Sequence, residues 1–376
     1  MTTRADLIVV GAGLAGSAAA WTATARGMDV VVLEAFGPGH RRGSSHGSAR
    51  IFRRAYPDPL YVLLTGRAGE LWRKLADEAG EQLLLMTGGL DFGAERDPEH
   101  LHAVLTSCGV PAALLSPAEA AERWPYFSFA GTGPVMFHAD SGVLDPDRAM
   151  AAMLRLAAGR GADVRFETPV TRLETTHGGD GVIAHTDSGA FTAPVAAVAA
   201  GGWLPPLLGS MVALPPLQVT QQQAFHFAPW EEPAAPWPIF ICKDAHDHDH
   251  VYGLPGGRDG EVPGAMKIGE HHNGKATTAD GRDGLVDPRA RERVRAFVSK
   301  RLPGLDSAPV NELTCLYTTT VNEDFILDRQ GPFVVASACS GHGAKFAPLL
   351  GEIITGLAAG QPSPDHRFTL AAHLSR

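Results

Sequence analysis

The sequence predicts a mixed α/β protein in which a parallel-sheet nucleotide-binding domain is interleaved with an antiparallel-sheet substrate domain. Three features predict it: a strand, glycine turn, helix and second strand at the N-terminus; another strand, glycine turn and helix near the C-terminus; and short strands punctuated by Pro and Gly between them. A chain of 376 residues has room for about two domains of ~100–200 residues each. With 44% hydrophobic residues, 43 Gly and 28 Pro, the composition is that of a globular protein with a substantial core. Lys and Arg total 32 against 41 Asp and Glu, a formal charge of −9, which argues against a nucleic-acid partner. Gly, Pro or a charge interrupts every apolar run before the roughly 18 residues that a membrane span needs, so the expectation is a soluble protein without a membrane partner.

At the N-terminus, Leu7, Ile8, Val9 and Val10 form the continuous apolar run of a buried parallel strand and lead into Gly11-Ala12-Gly13-Leu14-Ala15-Gly16. Ala18 to Arg26 reads as a helix, and a second apolar run, Val30 to Leu33, ends at Glu34. This is a complete Rossmann-type unit. Gly11 permits the tight turn, Gly13 lets backbone approach a pyrophosphate, and Gly16 lets helix and strand pack closely. The phosphates would sit at the positive end of the helix, and Glu34 could accept hydrogen bonds from a ribose hydroxyl. FAD and NAD both satisfy this unit. Arg4 with the apolar stretch to Ala20 imitates a secretory signal, but cleavage there would destroy the motif.

Further along, a helix begins near Leu63 with Leu64, Leu71, Trp72 and Leu75 at helical spacing, Ser116 to Glu119 forms a capping box, and Asp145 to Gly159 is another helix. Val164 to Glu167, Val182 to Thr186 and Phe191 to Ala200 read as strands that return the chain to the nucleotide domain. Val219 to Phe227, Pro238 to Cys242, Val251 to Leu254 and Ala265 to Gly269 suggest the antiparallel sheet. Asp287 to Arg301 is an amphipathic helix and Cys315 to Thr320 a strand. Phe333 to Ala338 is an apolar strand leading into Ser340-Gly341-His342-Gly343 and a long helix with Phe346, Leu349, Leu350, Ile353, Ile354 and Leu357 on one face. Amides at that second helix start, with Lys345, could meet an anion; a reduced flavin supplies one near N1 and O2, whereas a nicotinamide does not.

The four cysteines, Cys108, Cys242, Cys315 and Cys339, show neither disulfide-framework nor zinc spacing. Asp244 to His250 alternates Asp and His, and on a strand His246, His248 and His250 would share a face; between turn signals the run reads as a solvated loop, and no metal is assigned.

The motifs Gly43-Ser44-Ser45-His46-Gly47-Ser48-Ala49-Arg50, Lys267-Ile268-Gly269-Glu270-His271, Thr314-Cys315-Leu316-Tyr317, Asn322-Glu323-Asp324-Phe325 and Ser340 to Phe346 resemble, in order and spacing, the monomeric sarcosine oxidase and N-methyltryptophan oxidase family. The match runs essentially end to end. The resemblance implies the p-hydroxybenzoate-hydroxylase-like two-domain fold, and an FAD oxidase that takes two electrons from a secondary (N-methyl or cyclic) amino acid and passes them to dioxygen, giving an imine and peroxide. It implies that Cys315 holds FAD covalently through a thioether to the 8α-methyl carbon. It matches Arg53 and Lys345 to the pair that binds the substrate carboxylate, a guanidinium fork plus a point charge. Lys267 matches the lysine that activates oxygen, Tyr252 and His271 match pocket residues, and His46 and Arg50 match residues on the flavin face. Ser44, Val170, Gly341 and Gly343 join Gly11, Gly13, Gly16, Glu34, Arg50, Cys315 and Lys345 as expected cofactor contacts. A monomer in the cytoplasm is the corresponding expectation.

The expected division assigns 1–90, 145–215 and 315–376 to FAD binding, and 91–144 and 216–314 to the substrate. Ser45, Glu270 and Cys339 depart from the family pattern, so flavin contacts and pocket charge could differ here. Two other readings stay open: a flavin dehydrogenase that reduces a partner protein, and a noncatalytic FAD-binding subunit.

Overall fold

In the computed structural model, residues 2–244 and 249–375 are described. The strand Leu7–Val10 lies inside a six-stranded sheet ordered Asp163–Arg165, Val30–Leu33, Leu7–Val10, Val195–Val198, Phe333–Ser337 and Ile326–Gln330. Every neighbouring pair is parallel except the last. The alternation of side chains decides what each face meets. Leu7 and Val9 face a helical layer, while Ile8 and Val10 face a four-stranded sheet through Leu173, Val182 and Phe191. Both faces are covered, which is why these strands are apolar throughout. The helix Leu14–Ala25 packs between Pro146–Gly159 and Ala347–Ala358, and its Ala18, Ala19, Ala20 and Ala23 leave room for that close packing.

The second sheet is antiparallel in most of its pairings and nine-stranded, with Gln218–Pro229, Met266–Glu270, Asp249–Pro255 and Ile239–Asp244 at its centre. Leu305–Thr319 pairs with Gln218–Pro229 along nearly its whole length. An aromatic cluster backs this sheet: Phe127 stacks on Phe129 at 5.5 Å and Phe240 on Phe297 at 6.0 Å. Such pairs contribute roughly 0.5–1.5 kcal/mol each beyond burial. A three-stranded sheet of Arg50–Arg53, Ser141–Leu144 and Leu84–Met86 completes the set among the described residues.

Several expected elements shift. The helix expected near Leu63 starts at Pro59, because Asp58 caps it by accepting from the Leu60 amide and Pro suits the first turn. The strand expected from Phe191 to Ala200 is two strands: Gly189–Ala193 joins the four-stranded sheet and Val195–Val198 the parallel sheet. Pro194, which has no N–H for a ladder, sits at the change of sheet. The strand expected from Cys315 begins ten residues earlier, at Leu305, in a half-exposed polar stretch that carries no apolar run. It crosses the expected boundary between 314 and 315, and Gly89–Phe92 of the same sheet crosses the one between 90 and 91. The helix expected after the second glycine turn is Ala347–Ala358, preceded by a tight turn over Gly343–Phe346.

Candidate active site

A single cavity of about 990 Å³ runs from the N-terminal glycine turn to the face of the antiparallel sheet. At the turn, Gly11 adopts φ +95°. A Cβ on Gly16 would stand 1.8 Å from the Gly11 carbonyl oxygen, so only glycine lets the helix start there. Gly11 and Gly13 line the cavity, while Gly16 lies behind them and acts through packing. The helix has Gly13 at its N-cap, no side-chain cap and no acidic residue in its first turn, which leaves the positive end of its dipole facing the cavity. Glu34 closes this end. Burial alone would raise its pKa, but His40 at 3.3 Å and hydrogen bonds from the Ala12 and Phe36 amides lower it, so it stands ready as a carboxylate.

The 43–50 loop forms the next stretch of wall. The Arg50 guanidinium donates to the carbonyls of Ser44, His46 and Ala49 at 3.2, 2.7 and 2.9 Å, fixing the loop's curve. Ser45, one of the departures, accepts from the Leu14 amide at 3.1 Å and so ties the loop to the helix start. His46 is buried, and its Nε2 has no hydrogen-bond partner among the described residues. Burial, then Arg50, Arg282 and Lys267, hold its pKa down to about 2, so the ring is neutral.

Beyond the loop, Lys267, Tyr252 and Cys315 converge on the cavity from three strands. Lys267 is 3% exposed, and its Nζ lies 3.4 Å from the Ala49 carbonyl. Burial and Arg50 bring its pKa down to about 7, against the opposing pull of Cys315, Asp259 and Asp147. Cys315 is a buried free thiol that pairs in register with Gln222. Burial keeps the Tyr252 and Tyr317 hydroxyls protonated. Cys339 also lines the cavity and is free, whereas Glu270 does not line it: its carboxylate is held by both arms of Arg293 at 2.6 and 2.8 Å. The expected change of pocket charge at Glu270 is therefore corrected.

Past Cys315, the Gly341 and Gly343 turn forms the end wall. A Cβ on Gly343 would meet the Ala338 carbonyl oxygen at 1.5 Å. Here Arg53 and Lys345 enter the same buried corner. The Arg53 guanidinium lies 4.3 Å from the Tyr56 ring centroid and donates to the Ala55 carbonyl. Lys345 donates to the Tyr56 hydroxyl at 3.0 Å and the His342 carbonyl at 2.6 Å. Neither cation has a carboxylate partner among the described residues, and burial with their mutual repulsion lowers the pKa of Lys345 well below the usual lysine range. Arg96, by contrast, is paired with Asp91 at 2.6 Å. His271 lines the same corner, neutral through burial and neighbouring positive charge.

The structure thus brings every expected site residue except Gly16 to one cavity, Val170 and Ser44 included. Sequence reasoning missed Tyr56, which joins Arg53 to Lys345, and His342, whose Nδ1 is 3.0 Å from the Tyr56 hydroxyl. His342 sat inside the Ser340 to Phe346 motif; Tyr56 had only its nearness to Arg53 as a signal. It also missed that His271, His272 and Glu323 bring donor atoms within 4.8 Å of one another. Of the alternating Asp and His run, His246 and His248 lie outside the described residues, while His250 pairs with Glu95 at 2.5 Å.

The cavity residues fit a flavin dinucleotide. A glycine turn shaped by close approach, a helix start whose own N-cap residue is a side-chain-free glycine and a held carboxylate suit its nucleotide half; a buried imidazole nitrogen without a partner among the described residues and a second glycine turn lie further along the same space.

Residues 6–357 match the family described as FAD dependent oxidoreductase, DAO. The chain is 34% identical over 373 residues to the monomeric sarcosine oxidase of Streptomyces avermitilis, covering 95% of this chain and 94% of that protein. It is 31% identical to N-methyl-L-tryptophan oxidase of Yersinia pestis, with 96% of each covered. Among solved structures it is similar to NikD, an unusual amino acid oxidase essential for nikkomycin biosynthesis, with a TM-score of 0.85 at 25% identity over 97% of this chain and 96% of that one.

Proposed function

We propose that this chain, which belongs to the FAD-dependent oxidoreductase (DAO) family, oxidises a secondary amino acid, N-methyl or cyclic, to its imine. The observation that carries the reading is a pair of cations, half-buried Arg53 and buried Lys345, that share one corner of the cavity with no carboxylate partner among the described residues. Two such charges cost folding free energy that a bound anion offsets. A substrate carboxylate suits them: the Arg53 fork binds it in a plane, and Lys345 adds a point charge braced by Tyr56 and His342.

Bound FAD would supply a two-electron acceptor for the C–H bond beside nitrogen and a route for those electrons to dioxygen, so that the products would be an imine, open to hydrolysis, and hydrogen peroxide. Glu34, the 11–16 turn and Val170 would hold its nucleotide half, and His46, Cys315, Gly341 and Gly343 its ring system, with Cys315 as the proposed covalent anchor. The cations have a second effect. Arg53, Lys345 and Lys267 together disfavour an ammonium nearby, so the substrate amine loses its proton more readily and its lone pair becomes available. Tyr252 and Tyr317, kept protonated by burial, can orient that amine as neutral partners. Lys267 carries charge at neutral pH and below, where it can stabilise negative charge developing on oxygen.

Acid precipitation tests the covalent anchor: yellow colour stays in the wild-type pellet and leaves with the supernatant in Cys315→Ala. Peroxide yield tests the acceptor, with one peroxide per amine oxidised supporting an oxidase and its absence a dehydrogenase.

A further inference from the structure

One cation of the cavity is left unused by the reaction above. Lys243 lies on Ile239–Asp244, where strand alternation sets it on the face of Ile241. The hairpin register places Ile241 opposite Tyr252, and Lys243 one step further out, opposite His250. Tyr252, His250 and Lys243 all line the cavity. Lys243 is half-buried and has no hydrogen-bond or ion-pair partner for its ammonium among the described residues. Among the described residues, the carboxylates that act on it are hydrogen-bonded elsewhere: Glu95 to His250 at 2.5 Å and Glu323 to His272 at 3.0 Å. Burial, then the charges of Arg96 and Arg53, push its pKa down against the opposing pull of Glu323 and Glu95. His271 feels both Lys243 and Arg53, which puts the two cations within electrostatic range of the same pocket residue.

We propose that the amino acid oxidised by this protein carries a second anionic group, a carboxylate on its side chain or on its N-substituent, and that Lys243 binds it while Arg53 and Lys345 bind the α-carboxylate. The inference rests on the amino-acid oxidase reading above and narrows it to acidic secondary amino acids. Lysine suits the role, because its flexible stem lets one point charge follow anions set at different distances from the amine. Tyr252 and Ile241, opposite each other in the hairpin, line the same cavity.

The test uses the holoenzyme with iminodiacetate, N-methyl-L-aspartate and N-methyl-L-glutamate, each beside the amide that neutralises its second carboxylate. A charge-assisted contact of this kind is expected to favour one diacid over its amide by roughly 10- to 100-fold in kcat/KM. In Lys243→Met that ratio falls to about one, through KM rather than kcat, and Lys243→Arg recovers most of it. The flavin absorbance of each variant checks that it has folded around its cofactor. Equal kcat/KM for diacid and amide in the wild type overturns the inference, as does a Lys243→Met variant that keeps the preference. If sarcosine or N-methyl-L-tryptophan reduces the flavin and no diacid does, the inference fails and the amino-acid reading stands. If no amino acid reduces the flavin, both fall.

Discussion

Replacing Lys267 with Met separates two consequences of one buried charge. The lysine is 3% exposed in mid-strand, its ammonium 3.4 Å from the Ala49 carbonyl, and its pKa is brought down to about 7 from an ordinary 10.5. Below pH 7 the folded protein must hold the charge at full cost, whereas above the unfolded pKa neither state carries it. A lowered folded pKa means that the unfolded chain binds more protons, so this residue's penalty shrinks as pH rises from about 7 to 10.5. At ~1.36 kcal/mol per unit, the penalty is about 5 kcal/mol at pH 6 and about 2 kcal/mol at pH 9. Urea unfolding of the apoprotein should therefore show Lys267→Met gaining on the wild type by roughly 3 kcal/mol more at pH 6 than at pH 9. Stopped-flow kinetics of the holoenzyme reads the other consequence. Reoxidation by dioxygen should slow by roughly 10²–10³-fold in the variant, the usual loss for one preorganised charge, while anaerobic reduction by substrate changes several-fold at most. In the wild type, reoxidation should weaken as pH rises past about 7. A stability gap independent of pH would refute the burial argument, and an equal fall in both half-reactions would refute the oxygen role.

Other perturbations report on separate parts of the site. Arg53→Met should raise KM for the amino acid by roughly 10- to 100-fold, the usual effect of removing a charge-assisted hydrogen bond, while kcat for a substrate lacking the carboxylate stays within a few-fold; steady-state kinetics on both compounds checks it. Gly16→Ala should abolish FAD retention or folding, because the new Cβ lies 1.8 Å from the Gly11 carbonyl oxygen; bound flavin per chain after purification is the readout. Ser45→Ala should cost about 1 kcal/mol by removing the acceptor of the Leu14 amide, measured as a lower urea midpoint with an unchanged slope.

The nucleotide end was legible because its chemistry is local: Gly11, Gly16 and Glu34 act through a turn and two strand ends that one stretch of about 30 residues contains. The second glycine turn was legible for the same reason. The amino-acid end is assembled from afar, and there legibility depended on resemblance. Arg53 and Lys345 were found as motif members, but Tyr56, which bridges them, lies in no periodic or motif context. Lys243 carried no signal, since a lysine near a polar hairpin is usually solvated, and only the register against His250 and Tyr252 sets it in the cavity. Glu270 looked like a change of pocket charge until Arg293, 23 residues on, proved to neutralise it. The strand beginning at Leu305 escaped notice because backbone pairing with Gln218–Pro229, rather than an apolar run, defines it.

Anaerobic titration of the purified holoenzyme, followed at the flavin absorbance, tests the central claim most directly. An N-methyl amino acid should bleach the flavin at concentrations where the matching amine without its carboxylate does so far more slowly, with admitted air restoring the colour and releasing peroxide. Bleaching by the amine as readily as by the amino acid, or by neither, would contradict the reading of Arg53 and Lys345 as the site where an amino acid is held for oxidation.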